Sequence, residues 1–219
     1  MWLIIWIDEY KHINFLIRLI LFMQLESNLR EHFEESANVK IKFIEENEEI
    51  FKKIIGVVYW AIDSWHTVFL CGNGWSAADA QHVAAELTWR YKTERNSLPG
   101  IALTVDTSAL TAIWNDYGFE YVFSRQLEWL WKEWDILIWI STSWNSWNVI
   151  EAVNMAKKKW IKTIWLLWKS WWKLKDMMDY ALIVPSDNTP RIQECHMTIY
   201  HALCEQIDIL DQNKSNQYE

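Results

Sequence analysis

A short segment with two glycines has the residues and the position of a phosphate-binding turn. It has the sequence Cys-Gly-Asn-Gly-Trp-Ser over residues 71–76, between an apolar run of strand length and a helical stretch that begins at Ser76. Such a turn presents free backbone N–H groups and the positive end of a helix dipole to an anion. The segment lacks the GxGxxG and Walker patterns, so it does not indicate a nucleotide. Ordinary N-capping by Ser76 explains the same residues, and the segment alone leaves both interpretations open.

A second polar turn follows a later apolar run. Residues 141–146 have the sequence Ser-Thr-Ser-Trp-Asn-Ser, and a helical stretch begins at Ser146. Their hydroxyl and amide groups suit the three oxygens of a phosphate, each of which accepts hydrogen bonds. One serine-rich turn is usually only a loop, but two turns that each connect a strand to a helix favour a shared anion site.

His82 and Glu86 lie four residues apart on the helical stretch after the first turn. This spacing places both side chains on the same face of a helix. A single histidine on a helix is usually structural. Directly after a phosphate-binding turn, however, a histidine paired with a glutamate favours a role in catalysis.

The elements that must position these residues alternate along the chain. Apolar runs of strand length are separated by helical stretches, after a polar-rich helical segment from Met23 to about Ile62. This order predicts an α/β fold: a three-layer sandwich with a central five-stranded parallel sheet, Rossmann-like, plus N-terminal helices. In such sheets ligands bind beyond the carboxyl ends of the strands. The predicted strands are 67–72, 101–105, 135–141, 161–167 and 180–184, and the predicted helices that follow are 76–90, 108–114, 119–131, 146–159 and 189–211.

The whole-chain composition disfavours several classes of function. The net charge is -8 and no run of Lys or Arg forms a basic stripe, so nucleic acid is a poor candidate ligand. The cysteines, Cys71, Cys195 and Cys204, are odd in number and widely spaced. They suggest neither a disulfide framework nor a CxxC metal site, which favours a reducing, cytoplasmic compartment.

We expect one domain over residues 23–212 and a disordered polar tail over residues 213–219. Residues 1–22 are apolar but interrupted by charges and lack a signal-peptide cleavage site, so we expect no membrane-spanning helix there. They are either an added amphipathic helix or the product of an over-extended gene start. The ordinary polar helix that opens at Met23 slightly favours the second explanation.

The chain has 18 tryptophans and only 5 glycines, and many of the tryptophans fall in turn-like stretches where glycine is usual. We hypothesise that these are glycines in the natural protein, because some bacterial lineages read the codon UGA as glycine and others as tryptophan. Exchanging thirteen of them gives 18 glycines, about 8% of the chain and close to the ordinary share. The alternative is a protein naturally or deliberately rich in tryptophan. The thirteen are Trp65, Trp75, Trp89, Trp114, Trp131, Trp134, Trp139, Trp144, Trp160, Trp165, Trp168, Trp171 and Trp172.

Four motifs together resemble the phosphoheptose isomerases, which are sugar isomerase (SIS) domain enzymes. They are Cys-Gly-Asn-Gly-x-Ser-Ala-Ala-Asp-Ala-Gln-His from Cys71, Asn-Asp-Tyr-Gly-Phe from Asn115, Ser-Thr-Ser-x-Asn-Ser from Ser141, and Arg-Ile-Gln-Glu-x-His from Arg191. The resemblance covers roughly residues 50–210. The thirteen tryptophans fall where this family commonly has glycine.

The resemblance implies conversion of sedoheptulose 7-phosphate to D-glycero-D-manno-heptose 7-phosphate. It implies a sugar-phosphate site formed by Asn73, Gly74, Trp75, Ser76, Glu86, Asn115, Asp116 and Gln193, with Ser141, Thr142, Ser143 and Ser146 holding the phosphate. A real indole at Trp75 or Trp144 is expected to block this site, because the backbone there should approach the ligand.

The resemblance also implies the catalytic groups. Glu86 and His201 are the expected base and acid of an enediol mechanism, and some members bind zinc through His82, Glu86, Gln193 and His201. Eight residues of helix span about 12 Å, so Gln193 and His201 of one chain cannot easily reach the same ion. Either a neighbouring subunit of the family's homotetramer completes the site, or only one of the two residues serves it.

Two other classes of protein share this domain. Non-catalytic SIS proteins that bind the replication initiator resemble the enzymes but tend to lack the presumptive base and acid. Glu86 and His201 are both present here, which favours the enzyme. A regulatory sugar-phosphate sensor is expected to carry an attached DNA-binding domain, for which the chain leaves no room.

Overall fold

The computed structural model describes residues 2–141, 146–168 and 178–215. In chain order the elements are α1 (Trp2–Asp63), β1 (Val68–Cys71), α2 (Trp75–Thr88), β2 (Gly100–Ala102), α3 (Thr107–Tyr117), a 3₁₀ turn (Phe119–Tyr121), α4 (Ser124–Leu130), β3 (Ile136–Ile140), α5 (Trp147–Lys158), β4 (Lys162–Trp168), β5 (Tyr180–Val184) and α6 (Thr189–Ser215). None of the described helices is long and apolar enough to cross a membrane.

The five strands form one parallel sheet in the order β2-β1-β3-β4-β5. Successive residues of a strand point to opposite faces, so each buried strand supplies two separate cores. Leu70 and Ile138 pack with α1, α2 and α6 on one face. Phe69 and Leu137 pack with α4 and α5 on the other. The predicted three-layer α/β sandwich is therefore confirmed.

The order of the strands reverses between β1 and β3. The chain passes from β1 to β2 on one side and then returns to place β3 against the opposite side of β1. The register pairs Leu70 with Ile138 and Cys71 with Trp139. A crevice opens beyond the carboxyl ends of the strands at such a reversal. Both predicted phosphate turns begin there, since one follows Cys71 and the other follows Ile140.

Several element boundaries differ from the sequence-based expectation. Strand β2 ends at Ala102, because the chain turns toward α3, whose first turn is capped by the Asp106 carboxylate accepting from the Ala109 N–H at 2.9 Å. The predicted helix over 119–131 is a 3₁₀ turn followed by α4, because Val122 and Phe123 between them insert into the core.

The two ends of the chain also differ from expectation. The N-terminal segment is one helix that passes through Met23 without a break, where separate helices were expected. Helix α6 extends to Ser215, so residues 213–215 are helical rather than part of the disordered tail. The remainder of the predicted tail lies outside the described residues.

Candidate active site

A cleft of about 830 Å³ lies at the strand-order reversal. It is bounded by the first turn, the 3₁₀ turn and the start of α5, with the lining residues Asn73, Gly74, Phe119, Glu120, Tyr121, Ser146, Trp147, Asn148 and Glu151. The two predicted phosphate turns therefore contribute to one cleft, as their positions after β1 and β3 require.

The first turn depends on its two glycines. A Cβ atom on Gly72 would lie 2.6 Å from the Ser76 carbonyl oxygen, so no larger residue fits there. Gly74 has a φ of 56°, in the region that favours glycine, and it is the N-cap of α2. Ser76 lies inside the helix and is buried, so it is not the N-cap. Asn73 and Gly74 line the cleft, whereas Ser76 is not among the described lining residues.

Trp75 directly follows the cleft-lining residues Asn73 and Gly74. Its side chain is 73% exposed and is not among the described lining residues. Trp75 is the first residue of α2. The Trp75 indole therefore does not line the described cleft, and its expected obstruction of a bound sugar phosphate stays a prediction. Trp144, the other expected obstruction, lies outside the described residues.

The second turn is partly described. Ser141 is buried at the end of β3, and Ser146 lines the cleft as the N-cap of α5. The Ser146 side chain makes no capping hydrogen bond to α5. Thr142 and Ser143 lie outside the described residues, so their expected phosphate contacts stay predictions.

Asn148 lines the cleft but was not among the residues predicted to form the site. Its side-chain amide exchanges two hydrogen bonds with that of Asn73, at 2.9 and 2.8 Å. Asn148 is only 1% exposed and lies in the first turn of α5. The available sequence signal was an amide side chain directly after a polar turn, because such a side chain can both donate and accept hydrogen bonds there.

A second group of functional side chains lies farther along α2. His82 and Glu86 are 3.0 Å apart between Nε2 and Oε1. His201 joins them from α6, with its ring centroid 5.1 Å from that of His82. One ligand atom from each of the three residues lies within 4.8 Å of the other two, and all three side chains are half-buried. The structure thus unites three of the four predicted metal ligands and both predicted catalytic groups.

Aromatic rings surround this three-residue cluster. Tyr91 stacks on His201 with centroids 5.5 Å apart, and Tyr200 presents its edge to His201 at 5.2 Å. The Tyr200 hydroxyl donates to the buried Asp79 carboxylate at 3.0 Å. Burial, followed by the nearby His82, lowers the pKa of His201. A neutral imidazole is favoured, which is the form that binds a metal.

Three other predicted residues do not join the site within this chain. Asn115 and Asp116 are exposed, hydrogen-bonded to each other at 2.8 Å, and not among the described residues that line the cleft. Gln193 is half-buried on α6, eight residues before His201 and therefore about 12 Å away along the helix.

The three-residue cluster suits a zinc ion. Zinc in proteins is bound by imidazole nitrogen and carboxylate oxygen, and catalytic sites combine three protein ligands with one open position. His82, Glu86 and His201 supply two imidazoles and one carboxylate at compatible separations.

Comparison with known proteins gives one consistent family. The SIS domain model matches residues 31–167. The phosphoheptose isomerase of Nitratiruptor sp. is 60% identical over 148 residues, which cover 68% of this chain and 79% of that protein. The phosphoheptose isomerase of Helicobacter pylori is 50% identical over 167 residues, which cover 76% of this chain and 87% of the relative.

Two solved structures support the same family. The phosphoheptose isomerase of Neisseria gonorrhoeae matches with a TM-score of 0.77 and 41% identity, covering 84% of this chain and 98% of that one. The enzyme from Francisella tularensis matches with a TM-score of 0.79 and 36% identity, covering 85% of this chain and 97% of that one. With the fold, the glycine turn and the His–Glu–His cluster in place, the chain belongs to the phosphoheptose isomerase family of SIS-domain proteins.

Proposed function

We propose that this protein isomerises sedoheptulose 7-phosphate to D-glycero-D-manno-heptose 7-phosphate, the first step of nucleotide-activated heptose biosynthesis. The observation that carries the proposal is the cluster of His82, Glu86 and His201, which supplies a base and an acid side by side. The names of the similar proteins support the substrate and the reaction.

The reaction moves one proton between adjacent carbons. A base removes the proton from C1 while an acid protonates the carbonyl oxygen at C2, which gives an enediol; a proton is then returned to C2 and lost from the C1 hydroxyl. Glu86 has a carboxylate that can take and return the proton. His201, neutral because its pKa is lowered, can give its ring N–H proton to the C2 oxygen and recover a proton from the C1 hydroxyl in the second half of the reaction.

The site has two parts, the cleft formed by the two turns and the cluster of His82, Glu86 and His201, and each would bind one end of the substrate. The phosphate is at C7, whereas the reaction takes place at C1 and C2. Gly74 in the phosphate cleft and His82 in the cluster are eight residues apart on α2, about 12 Å along the helix. The Ser146 hydroxyl and the backbone N–H groups at the start of α2 would hold the phosphate. Glu120 and Glu151, which line the same cleft, can accept hydrogen bonds from sugar hydroxyls.

The proposal includes one zinc ion per subunit, held by His82, Glu86 and His201. When bound, zinc supplies Lewis-acid polarisation of a substrate oxygen. Gln193 is about 12 Å from His201 on the same helix, so it would complete the site of a neighbouring copy, and the proposed assembly is the homotetramer that the family resemblance implies. A cytoplasmic location is also part of the proposal, and the three cysteines, all free and buried, fit a reducing compartment.

The alternative of a non-catalytic protein that binds the replication initiator receives no support. The relatives compared above are named isomerases, and Glu86 and His201 are not only present but close together.

The test is a coupled assay of sedoheptulose 7-phosphate conversion, with and without a chelator, on purified protein carrying glycine at the thirteen hypothesised positions. Glu86→Gln and His201→Ala are expected to lose activity while remaining folded. Glu128→Gln, on the exposed surface of α4, is the matched control and is expected to keep full activity. Full turnover by both site variants contradicts the catalytic assignment.

A further inference from the structure

The Asn73–Asn148 pair joins the two halves of the phosphate cleft. Asn73 belongs to the turn after β1, and Asn148 belongs to the first turn of α5 after β3. Their amides make two mutual hydrogen bonds, at 2.9 and 2.8 Å. Both residues line the cleft, together with their neighbours Gly74 and Ser146. The pair therefore crosses the strand-order reversal at the point where the phosphate is expected.

A mutual amide pair constrains both side chains strongly. Each amide must donate through its nitrogen and accept through its oxygen at the same time, so neither can rotate alone without losing both bonds. Asn148 is 1% exposed, which fixes one member of the pair within the packed start of α5. Asn73, half-buried on a glycine-flanked turn, is the member that needs to be held. A flexible turn loses conformational entropy when it binds an anion, which weakens binding. A turn that is already ordered loses less entropy and binds more tightly.

We propose that Asn148 is a positioning residue for the phosphate turn: it fixes Asn73 and thereby the spacing between the glycine turn and the start of α5. The inference deepens the proposed function and rests on it. Because the phosphate is remote from C1 and C2, loss of Asn148 weakens binding of substrate and transition state alike. The expected signature is a higher KM at nearly unchanged kcat.

The experiment is a double-mutant cycle with Asn73→Ala, Asn148→Ala and both changes together, assayed for KM and kcat. Asn148→Ala is expected to raise KM about tenfold. It is expected to add little further loss when Asn73 is already alanine, because it acts through that residue. Asn47→Ala is the matched control, since Asn47 is a buried amide, 8% exposed, that bonds the backbone carbonyls of Phe43 and Ile183 outside the cleft. That variant is expected to lose stability without a change in KM.

Titration with inorganic phosphate by calorimetry separates this inference from the proposed function. If the protein with glycine at the thirteen positions binds phosphate but does not turn over the sugar, the isomerase proposal fails, and the effect of Asn148→Ala on phosphate affinity in that protein still tests the positioning role. An unchanged phosphate affinity in Asn148→Ala overturns that role. Fully additive effects of the two alanine substitutions in the cycle also overturn it, as does a lack of phosphate binding by the protein with glycine at the thirteen positions and both asparagines intact.

Three of the tryptophans have a left-handed backbone conformation. Within the described residues, the non-glycine residues with positive φ are Trp65 at 64°, Trp134 at 72° and Trp160 at 59°. All three belong to the thirteen positions where the sequence suggests glycine. Bulky side chains rarely adopt this left-handed conformation, whereas glycine does so without steric cost. The side chains are also 87%, 43% and 73% exposed, so packing in this chain gives little compensation for a large indole.

Three further members of the thirteen lie in the sheet, Trp139 in β3 and both Trp165 and Trp168 in β4. Trp139 and Trp165 are paired across β3 and β4 and stack with centroids 4.2 Å apart. Both are almost fully buried, and neither indole N–H has a hydrogen-bond partner among the described residues. Buried donors without acceptors are rare in native proteins.

From the backbone angles we infer that residues 65, 134 and 160 are glycine in the protein as its source organism makes it. Intact-mass measurement and peptide sequencing of protein purified from that organism test the inference. The mass is expected to be lower by at least three indolylmethyl groups, each replaced by hydrogen, and by thirteen if the whole set is glycine. Tryptophan in the peptides that cover these three positions overturns the inference.

Discussion

His82 and His201 lie with their ring centroids 5.1 Å apart at an angle of 76°, although 119 positions of the chain separate them. His82 comes from the helix that follows the glycine turn, and His201 comes from the last helix. Glu86 completes the group on the His82 side at 3.0 Å. This contact between α2 and α6 turns two ordinary helical histidines into a candidate metal and acid–base site.

Removal of one member of the cluster is expected to abolish tight zinc binding. His82→Ala leaves one imidazole and one carboxylate to bind the ion. Loss of a residue that only hydrogen-bonds a metal ligand typically lowers metal affinity by roughly 10–100-fold, so loss of the ligand His82 itself should lower zinc affinity by more than that. Competition with a chromophoric chelator measures the affinity. His66→Ala, which removes a half-buried histidine outside the cluster, should bind zinc as tightly as the unsubstituted chain. Equal affinity in His82→Ala would rule out the cluster as the zinc site.

Replacement of the presumptive base is expected to slow the chemical step. Glu86→Gln keeps the shape of the side chain but removes the proton acceptor, so kcat should fall by about 10²–10⁴-fold with a smaller change in KM. This pattern is the opposite of that expected for Asn148→Ala. Exchange of the C1 proton with solvent deuterium, followed by NMR, should disappear in parallel with turnover. Proton exchange that persists in Glu86→Gln would assign the base to another residue.

A buried ion pair between Arg95 and Asp208 is expected to stabilise the fold. The Arg95 Nε and an Asp208 oxygen are 2.7 Å apart, and both side chains are 2% exposed. Arg95→Met leaves the Asp208 carboxylate buried without its charge partner and should lower the free energy of unfolding by about 3–5 kcal/mol. Urea denaturation measures this. The double variant Arg95→Met/Asp208→Leu should be less destabilised, because no buried charge is left unpaired.

The same pair should make stability depend on pH. Burial acts to raise the pKa of Asp208, but hydrogen bonds from Arg95 and from the N–H groups of Lys92 and Thr93 outweigh it, so the pKa is lowered. A carboxylate with a lowered folded-state pKa stabilises the fold above the unfolded value of about 3.9. This contribution is lost as the pH falls through the folded pKa. Asp208→Asn should show a weaker loss of stability below pH about 4, and an unchanged acid profile would contradict the assignment.

Glycine at the positive-φ positions is expected to stabilise the chain. For an L-residue the left-handed conformation costs roughly 1–2 kcal/mol, so Trp65→Gly, Trp134→Gly and Trp160→Gly should each raise the free energy of unfolding by about 1 kcal/mol. Trp129→Gly is the matched control, since Trp129 is 88% exposed but lies within helix α4. Within a helix, glycine should lower the free energy of unfolding by about 1 kcal/mol. Thermal unfolding compares the four variants, and destabilisation in all of them would contradict a steric origin.

Much of the site was predictable from local sequence. The alternation of apolar runs and helical stretches determined the parallel α/β sheet, because strands buried on both faces must be continuously apolar. The two glycines in the segment 71–76 predicted a tight turn. The structure contains that turn, and at Gly72 it allows only glycine, because a Cβ there would clash with the Ser76 backbone. The spacing of His82 and Glu86 determined that they share a helix face. These features depend on neighbours within a few residues, which the sequence shows directly.

Other features were decided only by the tertiary structure. The reversal of strand order between β1 and β3 brings the two turns into one cleft, and no local pattern encodes which strands become neighbours. The Asn73–Asn148 bonds and the approach of His201 to His82 arise from packing between distant segments. The exposure of the Trp75 side chain depends on its place at the first position of α2. Such contacts depend on how whole elements dock, so they have no counterpart in spacing or composition.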